Sequence, residues 1–290
     1  MRCFDNFACV DWSGARAERP PGIAVATIGP NGPPALLNPS PRWSREDVKD
    51  WLFRLAENRQ DILVGFDLSM ALPFHDLGCY FPEWEDSPDD ARSLWHLIDR
   101  LSKDEPWISS GQVLAHPEVR RHFRHAKDDV GDLFPGGTGR LRRVEQHQRE
   151  TGQANSASCF NLIGPAQVGK SSLTGMRLLH QLDGVIPVWP FDPVPETGPV
   201  IVEIYTTIAA LAAGLPRGHS KVRDREGLEA ALEHLGVPCP APLDRYDDHR
   251  TDAMITATWM KEASADSRLW APPEMTEEVA QKEGWTFGVF

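Results

Sequence analysis

Three short apolar segments of this 290-residue chain each end on a carboxylate. The segments, at 7–10, 62–66 and 200–202, have the length and composition of buried strands. The residues that follow them are Asp11, Asp67 and Glu203. In open α/β sheets, ligands gather at the carboxyl ends of the strands. A single acid at such a position often caps the next turn, but three of them predict a common site at one edge of a sheet.

The residues between the first two acids predict an antiparallel meander followed by a helix. GIAVATI at 22–28 is a strand candidate, and a Pro-Asn-Gly turn at 30–32 precedes a returning strand at 35–37. Ser44 and Asp47 fit the capping pattern of a helix start. A helix followed by the apolar run at 62–66 indicates a strand covered on both faces, so we expect an α/β fold.

A late helix, predicted from about Asp248 to Ala263, carries polar side chains that are spaced to join such a site. Asp248 and Asp252 are four residues apart, and His249 and Asp252 are three apart, so all three share one helix face. We expect His249 to be a metal ligand or an acid–base group. Acids also favour the first turn of a helix through its dipole, so the alternative for Asp248 is a solvated helix start.

These carboxylates point to a divalent-metal site. Clustered carboxylates repel one another, and a bound cation relieves that repulsion. Oxygen-rich sites of this kind suit Mg²⁺ or Mn²⁺, and two such ions activate water and stabilise the leaving oxygen in phosphodiester cleavage. The main ligands expected for one or two ions are Asp11, Asp67 and Asp252, with Glu203 and Asp248 in supporting positions.

The order of the elements resembles that of ribonuclease H-like nucleases, whose catalytic acids end the first and fourth strands and lie on the last helix. His249-x-x-Asp252-Ala253 is similar to the final helix of the Holliday-junction resolvases in that superfamily. The chain resembles more closely the DUF429 family, described as predicted ribonuclease H-like nucleases. The residues that carry this resemblance are VDWSG at 10–14, GFDLSMALP at 65–73, VWPF at 188–191, VEIY at 202–205, DHxxDA at 248–253 and EGWTFG at 283–288.

The resemblance implies a single ribonuclease H-like domain over residues 1–290, with a mixed five-stranded sheet flanked by helices. A large, mostly helical and loop-forming insertion at about 71–198 would separate the fourth strand from the fifth. The implied function is that of a divalent-metal-dependent nuclease or phosphodiesterase, with nucleic acid or another phosphodiester as its partner. A catalytically silent binding module on the same fold is the alternative.

A competing motif lies at 164–171, where GPAQVGKS matches the G-x-x-x-x-G-K-[ST] pattern of P-loop proteins. In such a loop, Lys170 reaches phosphate oxygens and Ser171 holds Mg²⁺. The chain would then bind a nucleotide, as a molybdopterin guanine dinucleotide synthesis type protein does. A P-loop follows a strong buried strand, whereas the segment at 158–163 is a mediocre strand candidate. This alternative also leaves Asp11 and Asp67 without a role.

The charge of the chain limits how it meets nucleic acid. Its formal net charge of −12 argues against a general nucleic-acid coat protein, because binding through phosphates favours positive charge. A locally basic strip at 116–149, which includes Arg120 and Arg124, is a candidate grip on a phosphate backbone. Lys221 is a further candidate phosphate contact. The alternative for all of these residues is an ordinary solvated surface.

Targeting signals and cysteine patterns add two expectations. No stretch reaches the roughly 18 apolar residues of a membrane span, and the acids near the N-terminus argue against a signal peptide, so we expect a cytoplasmic protein without a membrane partner. The five cysteines are widely spaced and include no C-x-x-C pair. The sequence therefore predicts neither a structural zinc site nor a disulfide framework.

Overall fold

The computed structural model describes residues 2–39, 42–164 and 168–290, in which strands of both orientations form one mixed sheet. Across the sheet the strand order is 3-2-1-4-6-5, in chain numbering. The second strand is antiparallel to the first and third, and the remaining pairs are parallel. The strands are β1 (Asn6–Asp11), β2 (Ala24–Ile28), β3 (Ala35–Leu36), β4 (Ile62–Asp67), β5 (Val188–Trp189) and β6 (Val200–Ile204).

The α/β class is confirmed, but the sheet has six strands where five are expected. The additional strand, β5, lies at the sheet edge within the segment predicted as an insertion, and it pairs in parallel with β6. It contains only two residues, and Pro187 and Pro190 flank it. So short a strand has no apolar periodicity for sequence analysis to detect.

Helices flank the sheet, and five of them lie within the segment 71–198. The part of the chain that the structure describes contains no helix long and apolar enough to cross a membrane. Short 3₁₀ turns occur at Pro106–Ile108 and Ser267–Leu269. The helices are α1 (Arg45–Glu57), α2 (Ala91–Leu101), α3 (Gly111–Ala115), α4 (Pro117–Arg120), α5 (Arg143–Glu150), α6 (Gly169–Gln181), α7 (Thr206–Ala212), α8 (Arg225–His234), α9 (Asp248–Ala263) and α10 (Glu277–Lys282).

Local capping determines where two of these helices begin. The Ser44 hydroxyl accepts a hydrogen bond from the Asp47 N–H at 3.0 Å, and the Asp47 carboxylate accepts one from the Ser44 N–H at 2.9 Å. This reciprocal pair starts α1, as the sequence predicts. At α9, the Asp247 carboxylate accepts a hydrogen bond from the Arg250 N–H at 3.1 Å. The predicted bounds of α9 are confirmed.

The alternation of side chains along the strands divides the core between the two faces of the sheet. On one face, Cys9 and Val202 belong to an apolar cluster that also contains residues of α9. On the other face, Val10 and Phe66 belong to a cluster that contains residues of α6. The helices α9 and α6 therefore lie on opposite faces of the sheet.

The sheet and α9 approach each other closely at Gly65 in β4. A Cβ atom at this position would lie 2.8 Å from the Met260 sulfur and 2.9 Å from the Ile204 Cγ2. Both distances are shorter than van der Waals contact, so a side chain here requires the helix or the neighbouring strand to move. Gly65 thus fixes how deeply the C-terminal half of α9 packs on the sheet.

Candidate functional site

Asp11 and Asp67 lie side by side at the carboxyl edge of the sheet. The parallel register of β1 and β4 aligns them directly, as the last pair of the two strands. Paired residues on neighbouring strands point to the same face, and here it is the face that α9 covers. Asp11 is 7% exposed, and Asp67 is half-buried. Adjacent parallel strands are about 4.8 Å apart, so the sheet itself brings the two carboxylates together.

The N-terminal turns of α9 add His249 and Asp252 to this pair. The His249 Nδ1 lies 3.3 Å from the Asp11 Oδ1, and Asp252 is 4% exposed. We call Asp11, Asp67, His249 and Asp252 the carboxylate cluster. These four residues are the ones that the sequence predicts as catalytic. The fold brings them together from β1, β4 and α9.

The acids of the carboxylate cluster hold their protons more tightly than ordinary carboxyls. Burial, together with the negative charge of Asp11, raises the pKa of Asp67 to about 7. Burial raises the pKa of Asp252 to about 6, although nearby Lys221 opposes this shift. Burial also raises the pKa of Asp11, while His249 opposes it. The hydrogen bond to Asp11 in turn raises the pKa of His249. Burial is the largest cause of the shift for each of the three acids, so ionising them costs more free energy here than in water.

Lys221 brings a positive charge to the carboxylate cluster. It lies in the segment between α7 and α8, and its ammonium forms an ion pair with the Asp252 carboxylate. Burial lowers the pKa of Lys221, but the charges of Asp252, Asp67 and Asp11 outweigh this effect and raise it. Its side chain is 48% exposed.

Within the described ranges, no group of three or more His, Cys, Asp or Glu side chains is arranged to hold a metal ion.

Asp248 is directed away from the carboxylate cluster. The Arg223 guanidinium donates to both of its oxygens, at 2.6 and 2.8 Å, on the protein surface. This contact lowers the pKa of Asp248. The expectation that Asp248 shares a site with Asp252 rests on helical spacing, but an exposed arginine on a neighbouring segment takes up its charge.

Glu203 lies on the opposite face of the sheet from Asp67. In the β4–β6 register it pairs with Phe66 rather than with Asp67, and a one-residue offset reverses the direction of a strand side chain. The Arg142 guanidinium donates to both Glu203 oxygens, at 2.5 and 2.8 Å. The Met70 N–H and the Thr286 hydroxyl donate to them as well, at 2.7 and 2.5 Å. Glu203 therefore belongs to a buried ion pair.

Sequence analysis places Arg142 only within the basic strip, and the structure gives it a separate role. It is 1% exposed, and its Nε donates to Glu145 at 2.8 Å in addition to the contacts with Glu203. The i, i+3 spacing of Arg142 and Glu145 is the one sequence signal of this arrangement. The partner in β6 is 61 residues away and has no local signal.

The remaining basic strip is largely paired with acids. Arg120 donates to Asp129 at 3.1 and 3.2 Å, and Arg140 donates to Asp76 at 2.6 and 2.8 Å. Arg124 is half-buried, and its Nε has no hydrogen-bond partner among the described residues. The structure brings neither Arg120 nor Arg124 to the carboxylate cluster.

The P-loop-like stretch at 164–171 is described only in part, because residues 165–167 lie outside the described residues. The strand candidate at 158–163 does not form a strand, and only an isolated bridge at Asn161 occurs there. Helix α6 begins at Gly169, within the motif. A Cβ at Gly169 would lie 2.3 Å from the Cys159 carbonyl oxygen, so close packing accounts for this glycine. Lys170 is exposed.

A cavity of about 310 Å³ adjoins the carboxylate cluster at the end of the sheet. Its walls include Asp67 and Lys221 from the α9 side and Ser69 and Ser171 from the α6 side. Ser69 follows Asp67 by two residues, and its sequence context lacks the G-x-S-x-G pattern of a serine nucleophile.

Comparisons with protein-family models, curated proteins and solved structures found no match.

Proposed function

We propose that the chain is a divalent-metal-dependent phosphodiesterase of the ribonuclease H-like type, acting on nucleic acid or a related phosphodiester. The observation that carries this proposal is the alignment of Asp11 with Asp67 at the ends of two central parallel strands. Asp252 and His249 approach the same edge from the last long helix. The mixed order β3-β2-β1-β4-β6, with β2 antiparallel, supports the same type of fold. So does the resemblance to the DUF429 family.

The donor set of the carboxylate cluster suits Mg²⁺ or Mn²⁺. Three carboxylates supply hard oxygen ligands, and the raised pKa of Asp67, about 7, reflects burial and then the negative charge of Asp11, which a cation would offset. Lys221 must move away from Asp252 to admit the ion, and its half-exposed side chain leaves it room to do so. The residues that would hold the ion are Asp11, Asp67 and Asp252. A bound ion would supply charge for activating water and for stabilising the leaving oxygen.

His249 is the residue suited to move a proton. Its Nδ1 contacts the Asp11 carboxylate at 3.3 Å, which favours the protonated imidazole and leaves Nε2 as the donor toward substrate. The pKa of His249 is raised by this contact. A protonated imidazole can donate its proton to a leaving oxygen, so we assign His249 the role of general acid.

A second candidate function is metal-independent binding on the same fold, and the ion pair between Lys221 and Asp252 favours it. An internal ammonium already offsets part of the negative charge, as a structural ion pair does. A nucleotide-binding P-loop has less support. Packing against Cys159 accounts for Gly169, and the segment directly before the motif, at 158–163, forms no strand.

The decisive experiment is a Mn²⁺ titration followed by a cleavage assay on DNA, RNA, hybrid and branched substrates. We expect saturable Mn²⁺ binding and Mn²⁺-stimulated cleavage, with Asp11→Asn reducing both by at least about 100-fold. Asp5→Asn is the matched control, because Asp5 is exposed just before the same strand. Absence of binding at millimolar Mn²⁺ would contradict the metal site. Binding without cleavage of any substrate would favour the binding module.

A further inference from the structure

Ser171 of the P-loop-like stretch and Asp67 of the carboxylate cluster border the same cavity. The first turns of α6 accept hydrogen bonds from the two segments that follow Asp11 and Asp67. After Asp11, the Trp12 Nε1 donates to the Thr174 hydroxyl at 3.0 Å. After Asp67, the Ser69 N–H donates to the Ser172 hydroxyl at 3.1 Å.

A glycine permits the closest of these approaches. A Cβ at Gly14 would lie 2.4 Å from the Ser171 nitrogen and 2.2 Å from the Lys170 carbonyl carbon. Only a residue without a side chain lets the segment after β1 touch the backbone of the first turn of α6. The first turn of α6 is thereby held at the carboxyl edge of the sheet, next to the cavity that Asp67 borders.

Three hydrogen-bond donors border the cavity: Ser171 and Lys221 already have partners, the Val168 carbonyl and the Asp252 carboxylate, whereas the Ser69 hydroxyl has none in the described part of the chain. Ser69 is 8% exposed and borders the cavity, and its hydroxyl makes no hydrogen bond within residues 2–39, 42–164 and 168–290. Ser171 borders it as well, and the Lys221 ammonium lies on the opposite wall. Val168, the N-cap residue of α6, contributes no side-chain cap. The first turn of a helix presents N–H groups without intrahelical partners, and its dipole favours an anion.

The acids that also border the cavity leave room for such an anion. Glu203 and Glu145 are both paired with the buried Arg142, whose single positive charge offsets one of their two negative charges. Asp67 is one of the three carboxylates assigned to the metal ion. The cavity volume, about 310 Å³, exceeds that of a phosphate group and leaves space for water or part of a sugar.

We infer that this cavity binds a phosphate group of the substrate through Ser69, Ser171 and Lys221, beside the carboxylate cluster. The P-loop-like motif and the strand-end acids are then two halves of one phosphodiester site. This inference rests on the proposed function, because the phosphate is taken to be part of the molecule that the metal site cleaves. It predicts no role for Lys170, which is exposed and is not among the residues that border the cavity.

The test is calorimetric titration of the full chain with inorganic phosphate in the presence of Mg²⁺. We expect the double variant Ser69→Ala/Ser171→Ala to bind phosphate about tenfold more weakly, since each hydroxyl contributes one hydrogen bond. Ser93→Ala on the exposed face of α2 is the matched control and should bind as the unmodified chain does. Ser171→Ala alone, whose hydroxyl contacts only the Val168 carbonyl, serves if the double variant does not fold.

Two further measurements separate the possible failures. Mn²⁺ affinity should be unchanged in the serine variants, so loss of phosphate binding with intact metal binding supports the inference. Phosphate affinity that is equal in all serine variants, or absent in the unmodified chain, overturns it even where the metal site stands. Titration with ATP tests the P-loop: tight binding that Lys170→Ala abolishes would overturn the inference in favour of a nucleotide site.

Discussion

Asp67 is the last residue of β4 and Glu203 is the penultimate residue of the neighbouring parallel strand β6, and the two carboxylates have different hydrogen-bond partners. Glu203 receives four hydrogen bonds, two of them from a fully buried guanidinium. Asp67 receives one, from the Thr206 hydroxyl at 3.3 Å, and faces Asp11 across the strand register. The first arrangement satisfies its charge with protein donors. The second leaves charge for a ligand, which is why we assign chemistry to Asp67 and a structural role to Glu203.

The largest effect is expected where a satisfied charge loses its partner. Glu203→Ala removes one of the two carboxylates that pair with the buried Arg142, and breaking a buried pair destabilises a protein by about 3–5 kcal/mol. Glu233→Ala, on an exposed position of α8, should change the free energy of unfolding by less than about 0.5 kcal/mol. Urea unfolding of both variants measures the difference. A Glu203 variant that unfolds at the same urea concentration as the control would mean that its charge is not structural.

Asp67→Asn should stabilise the metal-free protein, whereas Glu203→Ala should destabilise it. A carboxyl whose pKa is raised to about 7 on folding contributes its full stability below its unfolded value, near 4, and loses it as the pH rises through 7. Replacing it with a neutral amide should therefore raise the free energy of unfolding by about 2 kcal/mol at pH 8 and by little at pH 4. Urea unfolding at the two pH values tests this. A variant that is less stable at pH 8 would show that Asp67, like Glu203, is satisfied by the protein.

Lys221→Met removes the positive charge that lies beside the carboxylate cluster in the metal-free protein. Removing the ammonium should lower the free energy of unfolding of the metal-free protein by about 1 kcal/mol. It should strengthen Mn²⁺ binding about tenfold, since the ion no longer competes with the ammonium for Asp252. Lys103→Met, at an exposed position after α2, is the control. Mn²⁺ titration of both variants provides the comparison. Weaker binding in the Lys221 variant would instead mean that the ammonium helps to build the site.

Sequence analysis succeeds where a local signal and the final position coincide. The acids at 11 and 67 end strands that their apolar runs mark clearly, and helical spacing places His249 and Asp252 together on α9. Sequence analysis does not reveal the register in which neighbouring strands pair. Glu203 is predicted to follow a strand, but β6 continues to Ile204, so Glu203 pairs with Phe66 and points to the other face, and no short window of sequence reveals this offset.

Long-range partners explain most of the remaining differences. Arg142 and Lys221 are basic residues in segments that look like ordinary surface, and their acidic partners lie 61 and 31 residues away. The two-residue strand β5 forms because β6 offers it an edge, rather than because of its own composition. Such features depend on which elements the tertiary fold brings together, and a single sequence does not contain that information in readable form.

Gly65 has a consequence for the geometry of the proposed metal site. It determines how closely Met260 approaches the sheet, and Met260 lies eight residues, about 12 Å, along α9 from Asp252. Asp11 and Asp67 lie on two paired strands, so the sheet fixes their spacing, whereas the position of Asp252 depends on how α9 packs against the sheet. In the proposed site, a side chain at position 65 would therefore shift Asp252 relative to the other two carboxylates and change the ion size that fits, although Gly65 itself contributes no side chain to the site.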